Sequence, residues 1–162
     1  MKKLLLTIVF FTTLTGMAFA DWTATINAYG QKINGQYQAS VKIGSGANEI
    51  KTPAPPKAPN YSCSLSIMSL PDWTPHLVKD IRQDADLQNM WVLAVNPHGN
   101  MPGFEDSTTT LEWNPLEFGE GTFKLVQGID ENGEVLIYDM KSVTSLDVNG
   151  WDKDFYFTII QE

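Results

Sequence analysis

The sequence predicts an all-β protein: a two-layer antiparallel β-sandwich, immunoglobulin-like or jelly-roll, with a small β-barrel as the alternative. Three observations carry that expectation. Most stretches after residue 20 alternate apolar and polar residues, the period-two pattern of strands with one buried face. Turn-forming pairs such as Asn34-Gly35 and Asn132-Gly133 punctuate these stretches, and turn signals recur roughly every 8–12 residues, as in sandwiches and barrels. No later stretch reads as a helix.

The strands follow in order. Residues 22–28 alternate and are expected to stop at Tyr29-Gly30. Residues 37–43 place Tyr37, Ala39, Val41 and Ile43 on one face and are expected to stop at Gly44-Ser45-Gly46. Asn34-Gly35 makes these two a candidate hairpin. A proline-rich bridge then covers residues 53–60. Its prolines cannot donate to a sheet ladder and hold the chain extended, so it hands the chain from one group of strands to the next. Residues 62–67 alternate serine with Cys63, Leu65 and Ile67. Residues 77–82 are expected as a strand, with a helical turn as the alternative. The run Met90-Trp91-Val92-Leu93-Ala94-Val95 is the most apolar after the leader and reads as a central strand buried on both faces. Residues 108–113, 122–127 and 135–140 are further strands, the last two joined through Asn132-Gly133, and residues 143–148 form a short one. Residues 154–160 are so aromatic and β-branched that they are expected inside a sheet, since an edge of that kind invites aggregation.

Residues 1–20 have the three parts of a secretory signal peptide. Lys2 and Lys3 form a positive start, residues 4–11 an apolar run, and Ala18-Phe19-Ala20 a small-residue cleavage site. A membrane span needs about 20 apolar residues, and residues 12–16 interrupt this run. No cysteine stands at the cleavage point to take a lipid. The protein is therefore expected to be secreted or periplasmic, without membrane insertion after cleavage, and residues 21–162 to form one domain with its own core.

Loss of Lys2 and Lys3 leaves nine basic residues against 19 acidic ones, so the formal charge moves from −8 to −10. A chain this acidic repels nucleic acid and anionic lipid. Cys63 is the only cysteine, which excludes an internal disulfide. It reads as a small buried hydrophobe, with pairing between chains as the alternative.

Chemistry has few places to sit. His76 and His98, the only histidines, lie beside prolines, and no Gly-x-Ser-x-Gly elbow or His/Cys metal pair occurs. Residues 147–154 resemble the opening of a calcium loop, with Asp147, Asn149, Asp152 and Asp154 as candidate ligands for Ca2+. They depart from that pattern at Trp151, at Asp152 where glycine is expected, and at Thr158 where a glutamate is expected. Asp84, Asp86, Glu105 and Asp106 lie in two other acidic loops. Trp91 and Trp113 fall within strands and read as core, whereas Trp73 and Trp151 fall in loops, where they either plug the open end of the sandwich or are the candidate contacts for a partner.

The order Pro53-Ala54-Pro55-Pro56, Tyr61 before an alternating strand, Trp73, Lys79-Asp80-Ile81-Arg82, Trp91-Val92-Leu93, Leu111-Glu112-Trp113-Asn114, Asp139-Met140-Lys141 and Phe155-Tyr156-Phe157 resembles immunoglobulin-like and cohesin-like sandwich modules of secreted bacterial proteins. The resemblance spans roughly residues 35–160 and implies surface attachment, assembly or service to an enzyme. The expected function is accordingly non-enzymatic binding or assembly outside the cytoplasm, with a protein or polysaccharide partner at the cell surface or self-association. A carbohydrate-binding module using Trp73 and Trp151 and an unrecognised hydrolase are the alternatives. N-terminal sequencing of the exported protein is expected to begin Asp21-Trp22-Thr23; a start at Met1 would show that the leader is retained.

Overall fold

The structure, a computed structural model, describes residues 21–32, 35–56, 63–69, 76–83, 89–97, 107–150 and 153–162. The strands are β1 (Trp22–Lys32), β2 (Gly35–Gly46), β3 (Ile50–Pro53), β4 (Ser64–Met68), β5 (His76–Gln83) and β6 (Met90–Asn96). They continue as β7 (Ser107–Trp113), β8 (Phe123–Gln127), β9 (Val135–Ile137), β10 (Ser145–Gly150) and β11 (Phe155–Gln161). Two 3-10 turns, Pro115–Glu117 and Met140–Ser142, interrupt them. The all-β class holds.

Hydrogen bonding runs along one mixed sheet in the order β10-β7-β1-β2-β5-β4-β6-β11-β8-β9, with β3 attached to β5. The antiparallel expectation is corrected at one ladder, because β2 and β5 pair in parallel, Lys42 opposite Lys79 through Gly46 opposite Gln83. Parallel neighbours need a long crossover, and the chain between them supplies one, passing through β3 and β4 before returning.

β5 is the corner of the sheet. Leu77 pairs with both Pro53 and Ile67, and Lys79, Asp80 and Ile81 each pair with both β3 and β2. A strand has two edges, so β3 occupies one while β4 and then β2 share the other. The run β10-β7-β1-β2 is thereby joined to the run β4-β6-β11-β8-β9 through a single strand. Pro53 closes β3 and the Ala54 N–H donates to the His76 carbonyl at 2.8 Å; residues 57–60 of the expected proline-rich bridge lie outside the described residues.

Several strands outrun their expected ends. β1 continues through Tyr29-Gly30, and β2 through Gly44-Ser45-Gly46. At Gly44 the reason is a close approach: a Cβ there would stand 2.9 Å from Ile81 Cδ1 and closer still to the Trp22 carbonyl oxygen. The β1–β2 ladder runs to Lys32 opposite Gly35, and Asn34 of the expected turn lies outside the described residues. β9 is shorter than expected: Tyr138 is exposed, and the Asp139 carboxylate accepts the Lys141 N–H at 3.0 Å, turning the chain so that Met140 is buried. β11 lies between β6 and β8, inside the sheet as expected.

The sheet curls over one core drawn from both runs. Trp22 of β1 meets Trp91 of β6 edge-on at 5.5 Å between ring centres and Phe123 of β8 at 4.9 Å, with Phe118 beside them. Such pairs add about 0.5–1.5 kcal/mol each beyond the area they bury. Trp91 and Trp113 are core residues as expected, and their indole N–H groups donate to the carbonyls of Asp80 (3.1 Å) and Met140 (2.8 Å). β6 is buried on both faces: Trp91, Leu93 and Val95 join the core, while Val92 and Ala94 pack outward with Met68 and Tyr156.

Asp80 faces the core at the corner strand, only 1% exposed. Its Oδ2 accepts from Arg82 Nε (3.1 Å) and NH2 (3.0 Å), and the Arg82 guanidinium lies 5.2 Å from the centre of the Trp91 ring. Oδ1 takes no hydrogen bond among the described residues, and among them Arg82 compensates the charge. Arg82→Met is expected to destabilise the protein by about 3 kcal/mol in denaturant titrations, since it strands a buried carboxylate. Arg82→Lys should recover only part, because an ammonium lacks the flat fork that stacks on Trp91.

Candidate functional site

The sites expected from sequence lie in different places. Trp73, Trp151, Asp152, His98, Asp84, Asp86, Glu105 and Asp106 fall outside the described residues. Asp147 and Asn149 stand on strand β10, not in a loop. Asp147 Oδ1 accepts from Thr110 Oγ1 at 2.7 Å and Asn149 Oδ1 from Thr108 Oγ1 at 2.6 Å. Asp154 instead accepts from Asn96 Nδ2 at 3.2 Å, beside β6. Among the described residues no cluster of three His, Cys, Asp or Glu side chains is placed to hold a metal ion.

His76 is half-buried, with Nδ1 2.7 Å from Ser66 Oγ. Among the described residues no carboxylate hydrogen-bonds the ring to orient it, so the pair lacks the third member of a nucleophilic triad. Cys63 is fully buried, its sulfur 3.8 Å from the Ala28 carbonyl oxygen. Burial pushes the thiol up to about 11, against smaller opposing pulls from Thr109 and the Gly30 backbone. The alternative of Cys63 pairing between chains gains no support from this position.

What the strands do bring together is a polar face. Buried and outward positions alternate in β1, β2, β7 and β10, so Thr25, Asn27 and Tyr29 share the outer side with Gln38, Ser40 and Lys42, with Thr108, Thr110 and Glu112, and with Ser145, Asp147 and Asn149. The register sets them in rows. One row runs Asp147, Thr110, Tyr29, Gln38, and the next Ser145, Glu112, Asn27, Ser40. The rows are tied across strands, because Asn27 Oδ1 accepts from both Ser40 Oγ (2.7 Å) and Gln38 Nε2 (3.1 Å), alongside the two threonine bonds to β10. Tyr29, half-buried, is the aromatic group in the middle of these rows.

These bonds fix the rotamers of short side chains before any ligand arrives, which lowers the ordering cost of binding. Capacity remains: the Asn27 and Asn149 amide N–H groups are donors, while Glu112 and the second Asp147 oxygen are acceptors. Sequence reasoning passed over this face because its polar residues read as ordinary outward positions. The alternation was visible; the alignment of four strands was not.

A separate cleft of about 490 Å3 opens beside the β8–β9 hairpin, over Val126, Val135 and Ile160. Lys124 Nζ and Glu162 Oε1 pair at 2.6 Å along its wall.

Fold and face together define an all-β protein with a pre-ordered polar sheet surface. Comparison of the chain with family models, with curated proteins and with solved structures found no match.

Alkylation of Cys63 in the folded protein is expected to be slow at neutral pH and to become fast on unfolding. The sign of its pH linkage is set by the raised folded value: the contribution is whole below about 9 and is lost as pH rises through about 11. Cys63→Ala should remove that alkaline component from denaturant titrations, although truncation in the core lowers stability at every pH.

Proposed function

We propose that this chain is an exported, non-enzymatic binding protein of the cell envelope or extracellular space, working as an immunoglobulin-like or cohesin-like module. Its ligand is a hydroxyl-rich polysaccharide laid on the outer face of β10, β7, β1 and β2. The observation that carries this reading is the pair of cross-strand rows around Tyr29, where hydroxyl, amide and carboxylate groups stand side by side at sheet spacing with one aromatic ring among them.

The chemistry of the face favours a sugar over a protein. Centres of protein interfaces are depleted in charge and enriched in Trp, Phe, Met and Arg. The described outer positions of these four strands hold hydroxyls, amides and carboxylates instead, with Lys42 as a cation on β2 and Tyr29 as their aromatic residue. Sugar hydroxyls need paired donors and acceptors, and the apolar side of a sugar ring can lie against an aromatic ring. In this reading Asp147 and Asn149 contact the ligand directly, and no Ca2+ is required.

Affinity electrophoresis against a panel of neutral polysaccharides tests it. Tyr29→Ala and Asn27→Ala are each expected to weaken binding by about tenfold, or ~1.4 kcal/mol, with the fold checked by circular dichroism. Leu136→Ser, on β9 at the opposite end of the hydrogen-bonded path, should bind like the wild type. Binding that survives both changes on the face and is lost on replacing Trp73 and Trp151 would transfer the ligand to the loops.

A further inference from the structure

We propose that the polysaccharide carries acidic substituents, and that Lys42 and Lys79 select them as an oxyanion site bordering the polar rows. This inference rests on the polysaccharide reading and names the class of chain within it.

Lys42 of β2 and Lys79 of β5 are partners in the parallel ladder. Val41 and Ile43, on either side of Lys42, are fully buried, so Lys42 stands on the outer face and its ladder partner with it. Lys42 is exposed and Lys79 half-buried, while Asp80 beside Lys79 points to the core. Like charges set directly opposite each other are destabilising, so the pair calls for a reason.

The other cations with described side chains are spoken for. Lys51 pairs with Glu49, Arg82 with Asp80 and Lys124 with Glu162. Lys141 donates to the Gly121 carbonyl, and Lys153 lies 4.8 Å from the centre of the Phe155 ring. Lys42 and Lys79 are left without an ion pair, hydrogen bond or ring contact among the described residues, and they are side by side. Nor do they guard an edge, the usual task of a strand lysine. Lys79 has Thr52 of β3 on its other side, and Lys42 has Thr25 of β1 on its own.

The register thus builds a third outer row, Thr25, Lys42, Lys79, Thr52. It lies two residues along β1 and β2 from the row of Asn27 and Ser40, a step of about 7 Å at strand rise. Two hydroxyls flank two ammonium groups, a donor set suited to a carboxylate or sulfate group. Of the acids close by, Glu117 accepts the Thr25 N–H, and Glu112 stands two strands away from Lys42 in the next row. The outer face is therefore divided by charge, with Asp147 and Glu112 on β10 and β7 and the two lysines on β2 and β5. The chain as a whole is acidic and repels a polyanion, so a preference for an acidic polysaccharide requires a local cation site of this kind.

Isothermal titration calorimetry of the exported protein against matched polymers tests the site: polygalacturonate with its methyl ester, and dextran sulfate with dextran. In at least one pair the acidic member is expected to bind about tenfold more tightly than the uncharged one, an advantage that shrinks as salt is raised. The pair that shows it distinguishes carboxylate from sulfate. Lys42→Gln and Lys79→Gln should each lose most of the advantage and keep the affinity for the uncharged member, whereas Tyr29→Ala should weaken both members alike. Removing one of two opposed charges should leave thermal unfolding at or above that of the wild type. Equal binding of both members in each pair, or an advantage that survives both lysine changes, overturns this inference and leaves the polysaccharide reading standing. Variants that unfold well below the wild type assign the lysines to the fold and overturn it too. A wild type that binds none of the four polymers overturns both readings.

Discussion

Everything in this sheet hangs on how β5 divides its edges. One edge carries β3; the other begins against β4 and ends against β2, so two runs of strands that share no other ladder become one hydrogen-bonded path. That arrangement forces a corner, and the residues at its bend are buried. The inward residues there are Asp80 and Arg82, an unexpected choice for an interior. Their pairing makes sense once Trp91 is considered: its indole N–H donates to the Asp80 carbonyl, and its ring lies under the guanidinium that neutralises the Asp80 carboxylate. Backbone, charge and ring are thus locked into one unit. Replacing such a pair with apolar residues of similar volume often costs little, so its value lies in holding the corner in one geometry.

The curl that follows from the corner lets a modest number of aromatic rings close the core. Trp22 is the first residue of β1, yet it meets Trp91 and Phe123 from the far run. Its ring also lies where a Cβ on Gly119 would stand, so a glycine is required at that approach. Glu117 completes this end of β1: its carboxylate accepts the Thr25 N–H at 2.8 Å, just where the ladder with β7, which starts at Ile26, has stopped. A turn carrying an acid thereby substitutes for a missing strand.

Much of this was legible in the sequence, because strand faces are written in period two and burial of β6 on both sides is written in an unbroken apolar run. The glycine stops were misread for a definite reason. Gly44 carries the same local signal as a turn, but in the structure it provides room where Ile81 lies against β2. Only the packing partner distinguishes a breaker from a gap, and that partner lies 30 or more residues away in sequence. The parallel ladder was hidden for a related reason, since an alternating strand does not state which neighbour it will choose. The calcium-like spacing of Asp147 and Asn149 illustrates the same ambiguity. Oxygens at alternate positions suit a loop around an ion, and they equally suit one face of a strand, which is where the structure puts them.

That last ambiguity bears on function. On a strand, Asp147 and Asn149 point the same way and are held by Thr110 and Thr108, so their free valences face outward in a fixed spacing. The same residues then meet two demands. Toward the solvent they extend the polar rows centred on Tyr29; along the sheet they form the rim of its open end. A lysine or proline would protect that rim better, but a lysine here would neutralise the acceptors of the outer rows, and a proline would break the ladder that aligns them.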